Sequence, residues 1–400
     1  MTSATALASP GRQIQAIGLM GFSHFFSHFY MFVLPPLFPL LHDELDISYV
    51  QLGLIVTLYF VATGALQTPC GIAVDRIGAR KILIAGLFVN AAAVALAGLT
   101  SSYWALLGLF FLAGVGNAVF HPADYSILSA SVDPKMLGRA FSVHSFGGSA
   151  GMAVAPPVML ILTGIWGWRS ALVITGCAGI VLAALVWLWG GVLRDHATGS
   201  AGKQPMPLRE QLKFLLSREI VLMFLFFVVS SAGGTGISVF CVAALVDLYK
   251  MSLADANWLF TMFMILSSLG VIAGGFLADR TTRHDLVLVL TYAVSIVTIC
   301  AVGLGNLSLW LLIAMIAISG LMRGVVNPSR DVMVRHAAPE GTVGTVFAWV
   351  TTGFSVGQGA SPVVYGWFMD AGTPEWVFYL SGAFGILNIA LVFMSRKRTL

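Results

Sequence analysis

The stretch GIAVDRIGARK, Gly71–Lys81, lies between two long apolar runs. It returns in the second half of the chain as GGFLADRTTRH, Gly274–His284, where Asp279 and Arg280 follow Asp75 and Arg76 by 204 residues. Pro122 of FHPADYS is matched by Pro328 of VNPSRDV at an offset of 206, and GRAF (Gly138–Phe141) is matched by GTVF (Gly344–Phe347) at the same offset. Gly147, Gly151 and Pro156 are matched by Gly353, Gly357 and Pro362, again at 206. One matched Gly or Pro means little. Four matches along nearly one offset mean a tandem duplication.

Composition says what was duplicated. The 400 residues are 58% hydrophobic and only 10% charged, where a soluble domain is about 25% charged. Apolar runs fall at roughly 13–41, 50–73, 81–100, 103–130, 138–164, 168–192, 218–246, 255–278, 286–304, 308–334, 343–369 and 374–395. Runs this long read as membrane-spanning helices, since barrel strands would alternate over about 10 residues. The first run is too long for the core of a cleavable signal, so none is expected. The longest polar interruption is RDHATGSAGKQPMPLREQLKFLLSRE, Arg194–Glu219. The fold expected is an all-α integral membrane protein of twelve transmembrane helices, in two six-helix bundles related by a parallel pseudo-two-fold repeat. Its expected division is 1–193, a linker 194–217, and 218–400.

Charge placement orients the chain. Basic residues gather at Arg76–Lys81, Lys135–Arg139, Arg194–Arg218, Arg280–Arg283 and Arg396–Arg398, while the alternate loops hold only Arg169 and Lys250. The positive-inside rule then places both termini and the linker in the cytoplasm. A multi-pass protein of a cell membrane, the bacterial inner membrane, is expected. The basic balance reflects this topology, and no segment suits nucleic acid. Cys70, Cys177, Cys241 and Cys300 fall inside apolar runs at unrelated spacings, which fits neither a disulfide framework nor a zinc site. No phosphate-cradling loop and no nucleophile elbow occurs, so neither ATP-driven transport nor an enzyme is expected, and no cofactor or metal is called for.

Two six-span repeats around a cytoplasmic linker resemble the major facilitator superfamily, and Gly71–Lys81 is similar to that family's signature Gly-x-x-x-Asp-Arg-x-Gly-x-Arg-Lys. The resemblance implies a rocker-switch secondary transporter with its site between the halves near mid-membrane, lined by spans 1, 4, 7 and 10. It also implies gating by Gly71, Asp75, Arg76, Gly78 and Arg80, with Asp279 and Arg280 as their copy. A narrower similarity joins AVFHP and GRAFSVHSFGGSAGMAVAPP to the fosmidomycin-resistance branch. That branch carries an acidic residue in span 1, four after a histidine, where this chain has His28.

Ionisable residues within spans cost a few kcal/mol on insertion scales and are functional candidates by default. His24 and His28 stand four apart in span 1, and His121 and Asp124 three apart in span 4. Each pair therefore shares a helix face. Arg323, Asn327 and Arg330 form one stripe in span 10, with Pro122 and Pro328 beside the polar positions. His24, His28 and His144 read either as proton carriers or as packed neutral rings. Asp124 overlays Arg330 in the duplication. The two are expected to interact in at least one state, to form a permanent ion pair, or to be wetted separately. Arg323 presents a fork suited to a carboxylate or phosphate, unless Asp331, Asp124 or Asp247 neutralises it. The expected assignments are Arg323, Arg330, Asn327, His121, Phe25 and Tyr30 for substrate, and Asp124, His28, His24 and His144 for protons. Gly147, Gly151, Gly353 and Gly357 read mainly as close-packing positions. The expected function is secondary active transport of a small anionic or amphipathic molecule by a monomer, as proton-coupled export or as uptake or exchange of an organic anion.

Overall fold

Long apolar runs satisfy their backbone in lipid only as helices or closed barrels, and helix is the sole extended element among the described residues of the computed structural model, 9–194, 214–337 and 343–395. Most of the expected linker lies outside them. In chain order the helices are α1 Pro10–Met31, α2 Phe38–Leu45, α3 Tyr49–Ile77, α4 Ala79–Ala97, α5 Tyr103–Asn117, α6 Phe120–Ser131 and α7 Leu137–Trp189. After the linker come α8 Arg218–Tyr249, α9 Leu253–Arg280, α10 His284–Val302, α11 Leu309–Ala337, α12 Val343–Asp370 and α13 Trp376–Ser395.

Ten described segments are long and apolar enough to cross a membrane. The first, Pro10–Leu45, is α1 and α2 joined through a 3-10 turn at Pro35–Leu37, where Pro35 and Pro36 offer no N–H to continue the helix. Another, Leu137–Val192, has 56 residues and would be on the order of 80 Å long as one helix. Gly167, at φ 79° and ψ 160°, breaks it into two crossings. With the 28-residue α12 the crossings among the described residues number twelve, as the apolar runs predict. Gly78, at φ 108°, makes the sharp corner between α3 and α4 that a side chain would strain.

The chain folds into two compact units. One comprises the residues up to Leu37 together with the segment from Leu58 to the linker. The other comprises Phe38–Thr57 with everything after the linker. The division by repeats assigns residues 38–57 to the N-terminal bundle, whereas they pack with the C-terminal helices: the Phe38 ring lies 5.4 Å from that of Phe240, edge to face.

Small residues set the spacing within each unit. A Cβ on Gly147 would overlap the Gly21 carbonyl, and one on Gly151 the Phe25 carbonyl, so α7 touches the backbone of α1. In the other unit Gly353 and Gly357 of α12 sit against Phe224 and Val228 of α8. Equivalent glycines make equivalent contacts in the two repeats, the packing role read from the sequence. Gly151→Ala is expected to lower the thermal midpoint of the detergent-solubilised protein, overpacking of this kind costing about 1–3 kcal/mol. Gly164→Ala, where a methyl group meets nothing within 4 Å, leaves the midpoint unchanged in the same thermal assay.

Candidate functional site

Helical spacing brings the span 1 histidines together: the His24 and His28 rings lie 4.6 Å apart on α1. Across from them, α5 ends at Asn117 and α6 resumes at Phe120, one residue before His121. Ala118 and Val119 between them keep right-handed helical dihedrals, so the helix face continues, and His121 and Asp124 both meet His24 of α1. Asp124 is fully buried. Its Oδ2 accepts hydrogen bonds from His24 Nδ1 at 3.1 Å and from His144 Nε2 at 2.9 Å. The His24 and His144 rings stack at 3.7 Å, and His121 lies 5.3 Å from His24. Four histidines on three helices thus surround one carboxylate. Asp124 Oδ1 and His28 Nδ1 are buried and form no hydrogen bond among the described residues, so the cluster keeps room for a further proton.

The glycines of α7 belong to this site as well as to the packing. A Cβ on Gly148 would stand 2.9 Å from the His24 ring and 3.0 Å from the His28 ring. His144, expected from the sequence as a proton carrier or a packed neutral ring, is a direct partner of Asp124. The donor atoms of His24, Asp124 and His144 lie within 4.8 Å of one another. Two imidazoles and a carboxylate in this arrangement are also a donor set that suits a zinc-type ion.

Next along the same helices is a polar layer that sequence reasoning passed over. Ser27 donates to Asn117 Oδ1 at 2.8 Å, and both are buried beside Asn90. The signal was present, because Asn117, His121 and Asp124 fall at 0, +4 and +7, one face of a helix. Of the aromatics assigned to substrate, Phe25 is half-buried in a stack with Phe22 and Phe29. Tyr30 is fully buried, and its hydroxyl donates to the Thr175 carbonyl at 3.0 Å.

In the second unit, α11 carries the stripe Arg323, Asn327 and Arg330. Arg330 Nε donates to Asp331 Oδ1 and its Nη1 to Asn327 Oδ1, both at 2.9 Å. Its guanidinium also lies over Phe227 at 4.7 Å and Phe354 at 5.2 Å. Arg330 is therefore held and neutralised locally. Arg323 differs. Its Nη1 donates to the Gly234 carbonyl at 3.0 Å, its carbon lies 5.8 Å from the Phe263 ring, and no carboxylate reaches it among the described residues. Gly234 makes room, since a Cβ there would stand 3.1 Å from the guanidinium. Asp124 and Arg330, equivalent in the repeat, each have partners inside their own unit.

The signature-loop residues take no part in the hydrogen bonds of either cluster among the described residues. Asp75, Arg76, Asp279 and Arg280 are exposed, and neither carboxylate has an ion-pair partner among the described residues. Gly71 on α3 approaches Pro122 to 3.8 Å, Gly78 makes the corner already described, and Arg80 donates to the Trp187 carbonyl at 2.6 Å.

The family model described as the Major Facilitator Superfamily matches residues 20–245 and 223–400. The chain belongs to that superfamily. It is 23% identical over 288 residues to a fosmidomycin resistance protein of Escherichia coli, 70% of each chain. It is also 27% identical over 164 residues to a probable L-galactonate transporter of Escherichia coli, covering 41% of this chain and 36% of that protein. A crystal structure of a bacterial homologue of the human lysosomal transporter Spinster shares the fold at a TM-score of 0.82 and 17% identity, covering 97% and 98% of the two chains. The protein is thus a multi-pass membrane transporter of small molecules, not an enzyme, with the expected resemblance to the fosmidomycin-resistance branch.

If the hydrogen bond from His144 holds the buried carboxylate, the two residues are energetically coupled. A double-mutant cycle of His144→Ala with Asp124→Asn, followed by unfolding in detergent, is expected to give an interaction energy of about 1–3 kcal/mol.

Proposed function

We propose that the protein works by alternating access and exports a small anionic or amphipathic molecule in exchange for protons. The observation that carries this reading is the buried Asp124 carboxylate among four histidines. Inside a membrane-spanning bundle an uncompensated charge is costly. Gain or loss of a proton on this cluster changes its charge by one unit where little water screens it. Such a change favours one conformation over another only through differential stabilisation of the two. The cluster therefore suits coupling, with Asp124, His24 and His144 sharing the proton and His28 and His121 beside them.

Arg323 supports the anionic part. Its charge is unmatched by any described carboxylate, and a fork of donors fits a carboxylate, sulfonate or phosphate group on a ligand. Asn327, Arg330, His121, Tyr30 and half-buried Phe25 are the further substrate candidates. The signature-loop residues Gly71, Asp75, Arg76, Gly78, Arg80, Asp279 and Arg280 act in gating. Resistance in the name of one relative is in keeping with export. A second reading, uptake or exchange of an organic anion, rests on Arg323 and on the relative named for L-galactonate, a sugar-acid anion. In both readings a monomer in the bacterial inner membrane, with both termini cytoplasmic, suffices, since each cluster is complete within one chain.

Proton release on adding candidate compounds to purified protein in weak buffer is the direct test. Wild type is expected to release protons and Asp124→Asn to be silent. Release unchanged in the variant, or transport that requires added Zn²⁺ and no proton, would overturn the coupling assignment. Arg323→Ala is expected to raise KM for an anionic compound about tenfold or more, the loss of one charge-assisted pair. A neutral analogue should show no change, and Arg323→Lys should fall between; the comparison is made by uptake or release into vesicles.

A further inference from the structure

Helix α3 begins with more donors than its own sequence can satisfy. The first N–H groups of a helix have no intrahelical acceptor. Ser48 and Gln51 meet part of the need as a reciprocal box, with Gln51 N donating to Ser48 Oγ at 3.2 Å and Ser48 N donating to Gln51 Oε1 at 2.8 Å. The N–H groups of Tyr49 and Val50 remain. Both donate to Asp370, the last residue of α12, at 2.7 Å to Oδ1 and 2.9 Å to Oδ2. A carboxylate there also meets the positive end of the helix dipole.

The approach is built for contact. A Cβ on Gly53 of α3 would stand 2.6 Å from the Pro362 carbonyl, and one on Gly366 of α12 would stand 2.5 Å from the Tyr49 carbonyl. Two helices from different repeats therefore touch backbone to backbone, with Asp370 closing the end. The division between the compact units falls inside α3, between Thr57 and Leu58. Its first turns thus pack with the C-terminal helices, while the remainder packs with the N-terminal ones.

We propose that Asp370 is a positioning residue for transport, a reversible latch that caps α3 from the other repeat in one conformation and releases it in the other. This rests on the alternating-access reading above, in which α3 and α12 move relative to each other. Two observations set it apart from an ordinary cap. The local Ser48–Gln51 box is already in place, so the helix has a start of its own. The Asp370 side chain is also exposed, so water can take over its two hydrogen bonds when the helices part. It acts at the end of α3 opposite Asp75, and α3 accordingly carries a candidate latch at each terminus.

The test uses the full chain with Cys70, Cys177, Cys241 and Cys300 replaced by Ser. A single new cysteine is placed by Val50→Cys beside the cap, or by Ser142→Cys near the basic start of α7, and its rate of reaction with a maleimide is measured. Asp370→Ala is expected to speed labelling at Val50→Cys by about fivefold, the loss of one charged cap, and to slow it at Ser142→Cys. Asp370→Asn, which keeps an acceptor and the side-chain volume, should give the same pair of changes in smaller size. Faster labelling at both sites, or at Val50→Cys alone, would reduce Asp370 to a local structural cap and overturn the proposal, as would no change at either. The measurement needs neither substrate nor proton gradient. A silent proton-release assay would therefore count against the coupling assignment without deciding this one.

Discussion

A carboxylate sealed inside a helical bundle in lipid has to be given partners, and most of the first unit is arranged around doing so. Asp124 Oδ2 receives one N–H from α1 and one from α7 while sitting on α6, which fixes three helices about a single atom. The contact requires α7 to lie against the backbone of α1, and that is possible only because Gly147, Gly148 and Gly151 carry no side chain. Packing and site are two consequences of one constraint. A loss of either glycine or histidine would be felt in both.

The second unit keeps the scaffold and changes the chemistry. Gly353 and Gly357 hold α12 to α8 as Gly147 and Gly151 hold α7 to α1. At the position of Asp124 stands Arg330, and it is satisfied differently, by its neighbour Asp331, by Asn327 and by two phenylalanine faces. Arg323, with no counterpart charge among the described residues, uses a backbone carbonyl and a ring. Duplication therefore preserved what backbone packing demands and freed the polar positions to diverge. One unit came to hold an acid among histidines, the other a cation that no described carboxylate pairs.

Much of this was legible in the chain because its physics is one-dimensional. Run length and charge placement respond to the membrane directly, so twelve crossings and a two-fold repeat follow from counting. His24 with His28, and His121 with Asp124, could be paired because a helix face is a matter of spacing. The partner of Tyr30 was not legible, because an aromatic in an apolar run gives no sign of which neighbouring carbonyl its hydroxyl meets. Asn117 and Ser27 were passed over for a related reason: uncharged polar residues in spans stand out less than charged ones, although their spacing matched.

The number of crossings, the duplication, the close-packing glycines and the helix faces that carry charge can all be read along the chain. Each of these depends on residues near one another in the chain or on a repeated register. The tertiary structure alone decided that His144 shares Asp124 with His24, that Arg323 lacks a described carboxylate while Arg330 has one, and that Asp370 caps α3 from 320 residues away. These depend on which helices touch and at what height. That is set by the summed packing of many small residues, and no local spacing encodes it.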